Sequence, residues 1–113
     1  MAAAPIGDRL DHILGSITKI QGYWSGSSFD NFVANEQSRA ATERHLLIIA
    51  EAAKHIPDGD KAATPHIDWR AVVGLGNILR HGYDVVDDQR VWDVVQLGLP
   101  VLKVAVEATR QRY

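Results

Sequence analysis

Along the first part of the chain the apolar residues fall at Ile6, Leu10, Ile13, Leu14, Ile17, Ile20 and Trp24. Gaps of three and four keep them on one face of an α-helix, whereas a strand would scatter them over both of its faces. The spacing predicts a helix from Ile6 to Trp24, and the same period returns in each later segment. From Phe29 to Ile56 it runs through Phe32, Val33, Ala40, Leu47, Ile48, Ala52 and Ile56, with a polar stretch from Asn35 to Ser38 where one helix bends or a second begins. A third run carries Val72, Val73, Leu75, Ile78 and Leu79. The last two carry Val91, Trp92, Val94, Val95 and Leu97, then Leu102, Val106 and Thr109. No segment alternates as a strand would, and no internal repeat is present. The expectation is an all-α fold, an antiparallel bundle of four or five helices.

Breaks and caps divide these runs. "SGSS" (Ser25 to Ser28) ends the first helix and offers Ser27 or Ser28 as the next cap. Pro57 to Asp68 reads as a loop, with two prolines, a glycine and short polar residues. Asp68 suits the N-cap of a helix starting at Trp69, with Ile67 and Val72 placed as a hydrophobic staple. Gly74 and Gly76 inside that helix cost about 1 kcal/mol each relative to Ala, which points to the close approach of another helix. Gly82 is expected to end it, with a turn through "DVVDD" and Asp87 or Asp88 capping the next helix. Gly98 and Pro100 mark a break or kink, because proline is tolerated in a first helical turn and not in a helix interior.

A chain of 113 residues holds one domain, here residues 1–113. With no cysteine, disulfides, thiolate nucleophiles and Cys-based zinc sites are excluded, and a reducing, cytoplasmic location is expected. The opening "MAAAPIGDRLD" has neither the basic start nor the apolar run of a signal peptide, and no run approaches the roughly 20 apolar residues of a membrane span. No membrane association is expected. A net charge of −2 excludes coating of nucleic acid by bulk electrostatics, so any contact with RNA must be local.

The local candidate is "GNILRHGYDVVDD", Gly76 to Asp88. On a helix Asn77 and His81 stack four apart, Arg80 lies about 100° from His81, and a helix end at Gly82 would let Tyr83 turn back toward them. An Arg beside a His suits a phosphodiester: the guanidinium gives parallel donors to phosphate oxygens, and imidazole moves a proton near neutral pH. Cleavage of RNA without a metal needs little more, since the neighbouring 2′-hydroxyl is the nucleophile. Two copies in a symmetric dimer would supply both a base and an acid. The alternative is that Arg80 and His81 only complement the dipole at a helix C-terminus. Arg44 and Glu51, seven apart at the edge of the long apolar stripe, project to one side, where they meet a partner or simply cover apolar surface. His12, His45, His55 and His66 show no ligand spacing and read as solvated or rim positions, and no metal site is expected. Asp84, Asp87 and Asp88 read as turn and cap residues.

Taken in order, "RHLLIIAEA", "HIDWRAVVGLGNILRHGY", "VWDVV" and "LP" resemble, across nearly the whole chain, the HepT-like toxin family of the HEPN superfamily. The resemblance implies a HEPN-like helical homodimer acting as a metal-independent endoribonuclease without a cofactor, the toxin of a bacterial type VII toxin–antitoxin pair. It implies as partners an RNA substrate, tRNA among the candidates, and an MNT-type nucleotidyltransferase antitoxin that silences the toxin by transferring AMP to a tyrosine. The family signature is an Arg, four to six residues, a His, one residue and a Tyr. His81 and Tyr83 match its His and Tyr, and Asn77 matches the polar residue that follows the Arg. Gly76, separated from His81 by four residues, stands where the shortest form of the signature has its Arg. Arg80 is the better substitute, being in the same turn as His81, whereas Arg70 lies three turns away. The catalytic candidates are thus Arg80 and His81, with Asn77 and Glu51 supporting and Tyr83 as the modification site. Glu51 would orient or neutralise Arg80 or Arg44. A second reading is a catalytically silent helical partner that binds the nucleotidyltransferase and is modified by it.

Overall fold

The computed structural model describes residues 5–81 and 87–113, with the side chain of His81 outside the described part. Among the described residues every regular element is helical: α1 (Ile6–Trp24), α2 (Phe29–Ala34), α3 (Glu36–Ala53), α4 (Asp58–Ala62), α5 (Trp69–His81), α6 (Asp88–Asp93), a π-helical turn (Val94–Gly98) and α7 (Leu99–Arg110). The expected helical bundle is observed, with α1, α3, α5 and α7 as its long members. α1 packs against α3 and α7, and α3 packs against α5.

Capping chemistry sets most of the boundaries. The Ser28 hydroxyl accepts from the Asn31 N–H at 3.2 Å and starts α2, and Asn35 does the same for α3 through the Ser38 N–H at 3.0 Å. The polar stretch from Asn35 to Ser38 is therefore a true break between two helices. Asp68 caps α5 by accepting from the Ala71 N–H at 3.0 Å, and Ile67 and Val72 both pack against the core as the staple requires. Asp87 caps α6 through the Gln89 N–H at 2.9 Å.

One expectation needs correction. The segment from Pro57 to Asp68 is not loop throughout, because it contains α4, whose first turn carries Asp58 and Asp60 where acidic side chains favour a helix N-terminus. Asp60 is drawn inward and accepts from Arg112 and from the Tyr113 hydroxyl, tying α4 to the end of α7. The break or kink expected at Gly98 and Pro100 takes the form of a π-helical turn ending at Gly98, with Pro100 in the first turn of α7. The Leu99 N–H bonds to the Val94 carbonyl, one residue further back than in an α-helix. This single wide turn carries the chain past Pro100, which has no N–H to give.

The core is one cluster. Leu10, Ile13, Ile17 and Ile20 of α1 meet Leu46 and Ile49 of α3 and Leu102 and Val106 of α7. At one end Trp24, Phe29, Phe32 and Trp92 interlock, with centroids 4.8 Å apart for Trp24–Phe32 and 5.2 Å for Phe32–Trp92. Four aromatic rings thereby position two helices of only six residues each, too short to persist alone. The Trp24 indole N–H, buried in this group, donates to the Thr42 hydroxyl at 2.7 Å, which in turn donates to the Ser38 carbonyl at 2.7 Å.

Candidate active site

α5 packs on α3 with Gly76 buried against Ala50. A Cβ on Gly76 would stand 3.1 Å from the Ala50 Cβ, tighter than ordinary contact, so the absence of a side chain lets the two helices meet here. Gly74, one of the two glycines expected to mark such an approach, has nothing within 4 Å of its Cβ position and plays no such part.

The space left by the missing side chain at position 76 is occupied. Arg80 folds back along α5 so that its Nε donates to the Gly76 carbonyl at 3.3 Å and its Nη2 lies 2.8 Å from the Gly76 Cβ position. The same Nη2 is paired with the Glu51 carboxylate of α3. Glu51 also accepts from Lys54 at 3.3 Å. The Lys54 hydrogen bond holds the Glu51 carboxyl below its ordinary range; desolvation opposes it, and the positive charges of Arg80, Lys54 and His55 add to the lowering. Glu51 thus touches Arg80, as the sequence suggested.

Around this pair lies a pocket of about 250 Å³ lined by Arg9 and His12 of α1, Arg44, Glu51 and the apolar Leu47, Ile48 and Ala52 of α3, and Arg80 of α5. Three guanidinium groups and one carboxylate give it a local charge excess in a chain whose net charge is −2. Among the described residues neither Arg9 nor Arg44 pairs with a carboxylate, and the Arg9 Nε is shut off from solvent with no acceptor. Asn77 is exposed on α5, one turn before His81. His81 is the last residue of α5, while its side chain, Gly82 and Tyr83 lie outside the described residues, as do Asp84 and most of "DVVDD". The structure thus brings Arg44, Glu51 and Arg80 together, and places the backbone of His81 directly after Arg80.

Sequence reasoning missed Arg9 and His12. They are one turn apart on α1, a spacing that puts both on one face, but only the packing of α1 on α3 turns that face toward Arg80. His45 also departs from a solvated position: its Nδ1 lies 3.1 Å from the Ser16 hydroxyl, and burial, then Lys19 and Arg44, lower its pKa from 6.5. Among the described residues no three His, Asp or Glu are placed to hold a metal ion, and no helix is long and apolar enough to cross a membrane. A second groove of about 410 Å³, between α5 and the α6–α7 segment, is mainly apolar, with His66, Asp68 and Arg90 in its lining, and gathers no comparable set of guanidinium groups.

Comparison with known proteins places this arrangement in a family. The family model described as "Ribonuclease HepT-like" matches residues 13–109. A protein of Thermococcus cleftensis named "Probable ribonuclease HepT" is 33% identical over 104 residues, covering 92% of this chain and 94% of its own. A Methanocaldococcus jannaschii protein with a provisional RNase name is 33% identical over 95 residues, covering 84% and 87%. One from Caldanaerobacter subterraneus, also provisionally named as an RNase, is 28% identical over 103 residues, covering 91% and 92%. No solved structure gives a significant match. The family model spans most of the chain, from the middle of α1 to the end of α7 and across the Arg80–Glu51 pair: the chain belongs to the HepT-like ribonuclease family.

Proposed function

We propose that this protein is a metal-independent endoribonuclease, the toxin of a toxin–antitoxin pair, active as a homodimer and silenced when an MNT-type nucleotidyltransferase transfers AMP to Tyr83. The observation that carries the reading is Arg80: the residue before His81 folds back along α5 to the space left at Gly76, so a guanidinium lies beside the position to which the signature assigns its arginine. The ribonuclease names of the relatives agree with it.

In this reading His81 takes the proton of a ribose 2′-hydroxyl, whose oxygen attacks the adjacent phosphorus. The bond from phosphorus to the 5′-oxygen breaks, and His81 of the second copy gives that oxygen a proton. The products are a 2′,3′-cyclic phosphate and a 5′-hydroxyl. Arg80 offsets the charge gathering on the phosphoryl oxygens, and Asn77 and Glu51 position the two active groups. For silencing, the Tyr83 oxygen attacks the α-phosphorus of ATP, and pyrophosphate and a proton leave. The new anion two residues from His81 would compete with the substrate phosphate for Arg80.

One observation favours a second reading, a catalytically silent partner of the nucleotidyltransferase. Glu51 already engages Arg80, which would withhold the guanidinium from substrate. Incubating wild type, His81→Ala and Arg80→Ala proteins with mixed tRNA and an unstructured RNA in the presence of a chelator separates the two. Cyclic-phosphate ends from wild type alone support the ribonuclease. No cleavage by any of the three, with AMP still accepted on Tyr83, supports the silent partner.

A further inference from the structure

The pocket beside Arg80 is larger than one arginine's contact and is built from three helices. Arg9 and His12 come from α1, Arg44 from α3 two turns before Glu51, and Arg80 from the end of α5. We propose that Arg9, His12 and Arg44 form with Arg80 a phosphate-binding pocket that holds a backbone phosphodiester of the RNA. The proposal rests on the ribonuclease reading and extends its site to residues that the Arg–His–Tyr signature does not contain.

Like charges repel, so a fold that gathers three guanidinium groups around one cavity gains from an anion between them. The protein's own anion there is Glu51, which is already shared between Arg80 and Lys54. Arg9 and Arg44 are left without a carboxylate among the described residues, and the Arg9 Nε is buried with its N–H unmet. Because the Arg9 Nε is itself closed to solvent, an anion in the pocket would be met by the rest of the Arg9 guanidinium, which has no carboxylate partner among the described residues.

The shape and lining name the acceptor. At about 250 Å³ the pocket is below the ~300–1,000 Å³ of drug-sized ligand sites and suits an anionic head group. A phosphodiester presents two unesterified oxygens that can accept from several directions, which matches donors arriving from three helices. A guanidinium forks onto two such oxygens. Leu47, Ile48 and Ala52 complete the lining with apolar surface beside these donors. The site also resolves the conflict between an acidic chain and a polyanionic substrate, because the positive charge is concentrated where the backbone would lie.

The test uses full-length protein on a His81→Ala background, so that RNA is bound without being cut, and a short 5′-labelled single-stranded RNA read by fluorescence anisotropy. Arg9→Gln and Arg44→Gln are each expected to weaken binding about tenfold, the ordinary weight of a charge-assisted hydrogen bond. Each should also reduce the slope of log affinity against log salt by about 0.7, one phosphate contact on a single strand. Thermal melts confirm that each variant is folded. Arg44 is exposed, so Arg44→Gln carries the test if Arg9→Gln is misfolded. Unchanged affinity and salt slope in folded Arg44→Gln overturn the proposal. Competition with AMP and with inorganic phosphate separates the sources of the anion: RNA bound far more tightly than either supports a backbone site, and AMP bound as tightly as RNA overturns it. The same substitutions with His81 intact separate this idea from the ribonuclease reading. Cleavage with binding unaffected removes the pocket and leaves the nuclease; binding lost in the variants with no cleavage by wild type removes the nuclease and leaves the pocket.

Discussion

The Nη2 of Arg80 lies 2.8 Å from the point where a Cβ on Gly76 would stand, so one residue occupies the volume that another has vacated. The two positions are a single unit, one turn apart on α5, joined by the hydrogen bond from Arg80 Nε to the Gly76 carbonyl.

Gly76→Ala is the direct probe of that unit. The added methyl displaces the far end of a flexible side chain, which is cheap, and crowds the Ala50 Cβ at 3.1 Å, which is not. Alanine gains about 1 kcal/mol of helix propensity over glycine, so the net change in stability should stay within about 1 kcal/mol of zero. Cleavage should fall about 100-fold or more as Arg80 is driven from its place, an effect of the size expected for loss of one charge-stabilising donor. A variant that melts like wild type and cleaves like it would show that the position of Arg80 does not matter.

Glu51→Gln removes the carboxylate from the pocket and keeps the shape of the side chain. The anion that competes with phosphate for Arg80 is gone, so RNA should bind more tightly, whereas the guanidinium loses its anchor and turnover should fall. A lower KM together with a lower kcat is the expected signature, read from steady-state cleavage of a fluorogenic RNA. Parallel loss of fold in a thermal melt would reassign Glu51 to stability alone.

Thr42→Val tests a linked polar chain in the core. Thr42 is fully buried, accepts from the Trp24 indole and donates to the Ser38 carbonyl. Valine keeps the volume and leaves the indole N–H without an acceptor, so stability should fall by about 1–3 kcal/mol. Urea unfolding should show a lower midpoint with an unchanged slope.

His45 gives the fold a dependence on pH. Burial, then Lys19 and Arg44, lower its pKa from 6.5, so in the window between the folded value and 6.5 the unfolded chain binds more protons than the native one. Stability is therefore complete above 6.5 and declines as pH falls through the folded pKa. Melting temperature should drop on acidification below 6.5 in wild type and drop less in His45→Gln, once changes common to both proteins are subtracted.

Much of this fold is legible in the chain alone. The first helix runs from Ile6 to Trp24 as the apolar spacing requires, and Ser28, Asp68 and Asp87 cap the helices they were expected to cap. These are local facts, fixed by side chains within a turn of the groups they serve. The short helix α4 escapes such a reading because its signal is two acidic residues in a stretch of loop composition, and its anchor, Asp60 on Arg112 and Tyr113, joins residues more than fifty apart. Within the site, Arg80 was legible from its place beside His81 at a helix end, and Glu51 from its place at the edge of an apolar stripe. Arg9 and His12 were not, because nothing on α1 says which helix its polar edge will face.

Periodicity and near neighbours along the chain are enough to specify the long helices, the caps at Ser28, Asp68 and Asp87, and the adjacency of Arg80 and His81 at the end of α5. Packing in three dimensions was needed to settle that Arg80 fills the space above Gly76, that Glu51 reaches it, and that Arg9, His12 and Arg44 share its pocket. Burial of the apolar stripes drives α1, α3 and α5 together, and the charged edges are carried into contact by that packing rather than by any signal of their own.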